Sequence, residues 1–274
     1  MDLWGIIVAV ILGIVEGLTE FAPVSSTGHM ILVDDIWLHS KDLYSPEVAN
    51  TFKVVIQLGS ILAVVIVLRQ RFLDLLPTKK NLTKNQEGRL GLTKVIVGLL
   101  PAIILGLLFE DYIDKYLFRK ETVVLGLVAG AILMIVADKM GPKDPTVKSV
   151  DQISYKQAIL VGLFQCIALW PGFSRSGSTM SGGVLLGMSH RAASDFTFIM
   201  AVPIMLGASS LSLLKNWEHF NLDTLPFLAA GFISAFIVAL ISVRFFLKLI
   251  NKIKLTPFAI YRIVLAAVVY ILFF

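Results

Sequence analysis

Glu16-Gly17-Leu18-Thr19-Glu20-Phe21-Ala22-Pro23-Val24-Ser25-Ser26-Thr27-Gly28-His29 is the stretch whose reading decides the fold. Apolar runs flank it on both sides. Inside it stand two carboxylates, a series of hydroxyls and an imidazole, interrupted by Pro23. An ionisable group within a membrane segment costs about 2.5–3.5 kcal/mol, so a membrane protein keeps such groups only for a use. A second stretch, Pro171-Gly172-Phe173-Ser174-Arg175-Ser176-Gly177-Ser178-Thr179, reads as its counterpart.

The surrounding composition supports a membrane setting. Hydrophobic residues make up 57% of the chain and charged residues 16%, with a mean hydropathy of +0.83. That excludes a disordered chain and is too apolar for an ordinary soluble domain. Several runs approach or exceed the ~20 residues that cross a bilayer as a helix. The alternating pattern of a transmembrane β-barrel is absent. A net charge of +5 falls mainly in loops, as the positive-inside rule expects, and does not point to nucleic acid. The single cysteine, Cys166, permits no intramolecular disulfide and reads as a small packing residue. Met1-Asp2-Leu3-Trp4 lacks the basic start of a cleaved signal peptide, so residues 3–15 are expected in the mature fold.

In chain order, residues 3–21 predict a short helix stopped at Pro23. Residues 25–38 predict a second, with Ser25, Ser26 and Thr27 supplying N-cap chemistry. Neither is long enough to cross, so together they read as a re-entrant hairpin, buried in protein or lining a wet cavity. Residues 34–51 read as polar, 69–94 as a long basic loop and 110–121 as a mixed-charge loop. Spans are expected over 52–68, 95–110 (kinked at Pro101) and 122–137. After a polar linker over 138–156 the pattern recurs. Short helices over 157–170 and 174–188 are followed by spans over 192–214, 226–247 and 257–274.

Local matches support an internal repeat. Gly13-Ile14-Val15-Glu16 pairs with Gly162-Leu163-Phe164-Gln165, and Ser25-Ser26-Thr27-Gly28 with Ser174-Arg175-Ser176-Gly177. The fold expected is an all-α polytopic membrane protein built as an inverted-topology repeat. Residues 1–140 form the first half and 153–274 the second, in one membrane domain. Each half is a re-entrant helical hairpin plus three transmembrane helices, six spans in total, and the odd span number inverts the second half. The loops over 69–94, 139–156 and 244–254 hold 7, 4 and 4 Lys and Arg residues, the opposite loops 2, 3 and 1. The first set is expected in the cytoplasm and both termini outside.

Glu16 and Glu20, four apart, share one helix face. Crowded carboxylates suit a hard divalent cation or a general base. Ser25, Ser26 and Thr27 open a helix, whose N-terminus attracts anions. Ser26 is the hydroxyl selected for chemistry, because it aligns with Arg175. His29 is a candidate for proton transfer. Ser174, Arg175, Ser176, Gly177 and Thr179 form the second anion site, with Arg175 offering a fork of donors to phosphate oxygens. Arg262, within the last span, is expected to pair with a buried carboxylate or a headgroup and to serve structure ahead of chemistry. Arg191 reads as cytoplasmic-face charge. Asn81-Leu82-Thr83 has the form of a glycosylation site but falls in a loop assigned to the cytoplasm.

These two motifs closely resemble those of the undecaprenyl-diphosphate phosphatase, or bacitracin-resistance protein, family. The resemblance runs the length of the chain and includes Val55-Ile56-Gln57-Leu58-Gly59-Ser60 and Phe258-Ala259-Ile260-Tyr261-Arg262. Ala22 departs from the family pattern, where leucine is expected, and touches packing only. The resemblance implies a multi-pass enzyme of the bacterial cytoplasmic membrane. It would remove the terminal phosphate of undecaprenyl diphosphate, return the monophosphate carrier for cell-wall synthesis and confer bacitracin resistance. It implies Mg2+ or Ca2+ dependence and a site reached from the outer face. The family's acidic motif falls on Glu16 and Glu20, its serine and histidine on Ser26 and His29, and its basic motif on Ser174, Arg175, Ser176 and Thr179.

The expected chemistry is phosphoryl transfer to water. The attacking group is Ser26, the preferred reading, or a water activated by Glu20. Partners are the polyprenyl diphosphate and membrane lipids, with a homodimer left open. The competing reading is a polyprenyl-phosphate transporter or flippase, since inverted repeats and midplane anion sites also serve transport. A plain anion channel is a weaker third. The density of reactive groups favours the enzyme.

Overall fold

The computed structural model describes residues 3–75, 90–117, 119–216, 218, 224–250 and 252–274. The chain folds into helices α1 (Leu3–Thr19), α2 (Ser26–Val33), α3 (Ser40–Leu43), α4 (Pro46–Val67), α5 (Arg69–Leu75), α6 (Leu92–Tyr112) and α7 (Lys120–Met140). The second half continues with α8 (Tyr155–Ile167), α9 (Arg175–Leu185), α10 (His190–Asn216), α11 (Leu225–Leu249) and α12 (Thr256–Phe273). Five of these, α6, α7, α10, α11 and α12, are long and apolar enough to cross a membrane. Residues 51–67 of α4 with α5, bent by 80°, make a sixth candidate. The order is hairpin, three long helices, hairpin, three long helices. The protein is an all-α, multi-pass membrane protein.

Some boundaries differ from the sequence expectation. The span expected over 52–68 corresponds to residues 51–67, while the helix that carries it opens earlier, at Pro46, because proline suits the first turn of a helix whatever the polarity of its neighbours. The polar stretch before it holds α3 and a π-helical turn at Asp34–Leu38. Seven residues of the expected basic loop form α5. The rest of that loop, with Asn81-Leu82-Thr83, lies outside the described residues. α6 runs on to Tyr112 and is followed by a π-helical turn at Ile113–Leu117.

The chain divides into two compact units. The first comprises Met1–Ala22, His29–Val67 and Ala201–Phe246. Its core joins Val8, Ala9 and Leu12 of α1 to Phe52 and Ile56 of α4 and to Phe227 and Ala235 of α11. The Phe52 and Phe227 rings lie 4.1 Å apart. Gly17 presses α1 on α11: a β-carbon there would sit 2.7 Å from the Ala235 carbonyl oxygen. Small residues bring helices together where lipid supplies no hydrophobic drive. Asp34, 1% exposed, pairs with Lys53 at 2.5 Å and accepts from the Ser40 amide and hydroxyl, both at 2.9 Å. That closes the turn leading into α4.

The second unit comprises Pro23–Gly28, Leu68–Met200 and Leu247–Phe274. α8 and α9 form an antiparallel hairpin, joined where Ser178 Oγ donates to the Phe164 carbonyl (2.5 Å) and Gln157 Nε2 to the Leu186 carbonyl (3.0 Å). α6 meets α8 at Gly98 and Gly162. One end of the unit is tied by Asp138, which binds His190 Nε2 at 2.8 Å and the Thr256 amide and hydroxyl at 2.6 Å each. Arg191 donates to the Leu247 carbonyl at 2.8 Å and pairs with Asp195 at 3.0 Å. It is therefore a structural tie rather than a plain surface charge.

Candidate functional site

The first acidic pair sits at the end of α1. Glu16 lies on the face of α1 that carries Leu12, Gly13 and Gly17, and is 1% exposed. Glu20 follows one turn later, half-buried, its amide donating to the Glu16 carbonyl at 3.0 Å. Beyond it the chain turns through Pro23, which cannot supply an amide for another helical turn. Among the described residues no three His, Cys, Asp or Glu side chains converge as a metal cage.

After the turn, Ser25 adopts a φ of 70°. Its Oγ accepts from the Gly28 amide at 3.4 Å, capping the start of α2. Ser26 and Thr27 occupy the first helical turn. His29, buried, stands three residues after Ser26 on the same helix and shares its face. Gly28 is packed closely: a β-carbon there would lie 3.2 Å from Leu127 of α7 and 3.4 Å from Leu265 of α12.

The second hairpin repeats this construction. Gly172, at φ 87°, lets the turn pass against the Val123 carbonyl, where a side chain would collide. Trp170 Nε1 anchors the turn on the Thr122 carbonyl at 2.8 Å. Ser174 has a φ of 73°, and its Oγ accepts from the Gly177 amide at 3.2 Å and lies 3.2 Å from Ser176 Oγ. Arg175 starts α9, half-buried, with Nη1 3.4 Å from the Thr197 carbonyl. Thr179 is buried one turn on, donating to the Arg175 carbonyl at 2.9 Å and accepting from Thr197 Oγ1 at 2.8 Å. Its hydroxyl steadies the turn that carries Arg175.

Both helix starts lean on the same pair, α7 and α12. Gly28 meets Leu127 and Leu265, while the second turn meets Gly126, Gly130 and Arg262. Two helix N-termini on one support form a concentration of backbone donors and positive dipole ends, the chemistry that receives phosphate.

The family model described as "Bacitracin resistance protein BacA" matches residues 9–268. The chain belongs to the BacA family. It is 68% identical, over the full length of both chains, to a protein of Geobacillus sp. (strain WCH70) named undecaprenyl-diphosphatase. It is 65% identical to the Bacillus subtilis (strain 168) protein of that name, over 98% of each chain. Against the Bacillus licheniformis protein named undecaprenyl-diphosphatase 2 it is 68% identical over both chains.

Within this BacA-family chain, residues 25–28 and 174–179 belong to the second unit. Glu16, Glu20 and His29 belong to the first unit. The buried partners of Arg262 differ from expectation. Among the described residues it meets no carboxylate and instead donates to backbone carbonyls. Sequence reasoning also missed Thr197, the partner of both Arg175 and Thr179. A lone threonine in an apolar span carries no signal of its own. Gln165, which the repeat pairs with Glu16, is 3% exposed, and neither of its amide atoms is hydrogen-bonded among the described residues.

Proposed function

We infer that this chain is an undecaprenyl-diphosphate phosphatase: it hydrolyses undecaprenyl diphosphate to undecaprenyl phosphate and inorganic phosphate. Its 68% identity over the whole length of a relative named undecaprenyl-diphosphatase carries this reading. The activity would recycle the carrier lipid of cell-wall synthesis and oppose bacitracin. The bias of Lys and Arg between loops supports both termini outside, and the family resemblance supports the bacterial cytoplasmic membrane and a site opening to its outer face.

The diphosphate would rest on the N-termini of α2 and α9, contacted by residues 25–27, Ser174, Arg175, Ser176 and Gly177, with Thr179 bracing that turn. Ser26 Oγ attacks the terminal phosphorus, and the bond from that phosphorus to the bridging oxygen breaks. His29, one turn on along α2, takes the hydroxyl proton, and undecaprenyl phosphate leaves. Water then cleaves the phosphoserine and releases phosphate. Arg175 stabilises the charge that spreads over the phosphoryl oxygens.

Glu16 and Glu20 fit a divalent cation. They are hard oxygen donors one turn apart, and a carboxylate as deeply buried as Glu16 favours a compensating positive charge. Mg2+ or Ca2+ would be held there by Glu16 and Glu20. Such a cation neutralises phosphate charge when bound.

Purified protein in detergent tests the activity. Phosphate release from undecaprenyl diphosphate is expected, and binding without release would favour the transporter reading. Substantial turnover by Ser26→Ala would remove Ser26 as the nucleophile and leave a Glu20-activated water.

A further inference from the structure

Among the described residues, Arg262 is the largest fully buried side chain, 0% exposed, within a membrane-spanning helix. Its Nη2 lies 2.8 Å from the Phe173 carbonyl oxygen, 2.9 Å from that of Gly172 and 3.3 Å from that of Gly126, and its Nη1 lies 3.3 Å from Met134 Sδ. A buried cation that only fills space costs more than an apolar side chain of the same size. The partners of Arg262 indicate its use. The Phe173 carbonyl belongs to the peptide plane whose rotation sets φ of Ser174. Ser174 holds a φ of 73°, a conformation that costs a non-glycine residue about 1–3 kcal/mol and persists only where the surroundings over-determine it. Space is kept for the guanidinium: a β-carbon on Gly177 would lie 2.9 Å from Nη1, and one on Gly130 would collide with Nη2.

We propose that Arg262 is a positioning residue for the phosphatase reaction. It clamps Gly172 and Phe173 so that Ser174 keeps its left-handed turn and the start of α9, with Arg175, stays aimed at the diphosphate. This rests on the phosphatase reading above.

Arg262→Met, Arg262→Lys and Arg262→Gln test it in full-length purified protein. Arg262→Met is expected to lower kcat about 30-fold or more with KM moved less than ~3-fold, and Arg262→Lys, which keeps charge and donors, to recover most of that loss. Amides over 173–177 should exchange hydrogen at least about tenfold faster in Arg262→Met, with the rest of the chain unchanged. If Arg262→Met does not accumulate, Arg262→Gln, whose shorter uncharged amide cannot reach both the Gly172 and Phe173 carbonyls, should give the same local exchange and kcat loss. Unchanged kcat and KM, unchanged exchange over 173–177, or faster exchange throughout the chain would each overturn the proposal. Failure of the wild type to release phosphate would count against the phosphatase reading alone, because the exchange measurement still reports on the clamp.

Discussion

Ser25 and Ser174 share one unusual conformation. Their φ values are 70° and 73°, and each caps the amide three residues on, at Gly28 and Gly177. Glycine would hold such a backbone without strain, so the serines are kept for their hydroxyls. Ser174→Gly relieves about 1–2 kcal/mol of backbone strain and loses a few tenths in capping. Ser174→Ala keeps the strain and loses about 1 kcal/mol of cap. Thermal unfolding in detergent should therefore rank glycine above alanine at both positions. Equal midpoints would show that the hydroxyl is not the cap.

Glycines on two long helices give a second contrast. A β-carbon on Gly162 would collide with the Gly98 carbonyl, where α8 rests on α6, whereas one on Gly207 of α10 meets nothing within 4 Å. Gly162→Ala should destabilise by about 1–3 kcal/mol through overpacking. Gly207→Ala should be neutral or stabilise by about 0.5–1 kcal/mol, from lost backbone freedom in the unfolded chain. Unfolding midpoints of the two variants, measured side by side, check both signs.

The sequence carries the hairpins and spans because hydropathy and helix breakers act locally. It carries the 25–28 and 174–179 match because the two halves repeat the same capping solution. It does not carry the start of α4, where Pro46 rather than hydropathy sets the boundary. Nor does it carry the partners of Arg262: a backbone carbonyl leaves no mark in residue type, so a buried arginine in a span reads as half of an ion pair. Thr197 is illegible for the same reason, since its contacts to Arg175 and Thr179 arise only when α10 packs beside α9.

Glu16 and Glu20 separate cation binding from chemistry. Removing divalent ions with EDTA should abolish phosphate release, and Mg2+ or Ca2+ should restore it. Glu16→Gln and Glu20→Gln halve the acidic donors, so the Mg2+ concentration giving half-maximal rate should rise about tenfold or more. Ser26→Ala should lower the maximal rate without moving that midpoint. A midpoint unchanged in both glutamine variants would place the cation elsewhere.

Asp151 gives the fold a pH dependence outside the membrane spans. Its Oδ2 pairs with Arg71 at 2.7 Å and its Oδ1 accepts from the Leu90 amide at 3.2 Å. Burial alone would raise its pKa, but the bonds from Arg71 and Leu90, the Arg71 charge and the Ser149 hydroxyl outweigh burial and hold it below the ordinary 3.8. A carboxyl with a depressed folded-state pKa contributes stability that is complete above its unfolded value and lost as pH falls through the folded one. Asp151→Asn should therefore lower the unfolding midpoint by about 2–4 °C at pH 7, the equivalent of ~1 kcal/mol in a chain of this size. The gap from wild type should stay constant between about pH 5 and 8 and close below ~4, where Asp151 protonates. A gap that widened on acidification would mean that the pair with Arg71 does not govern this carboxyl.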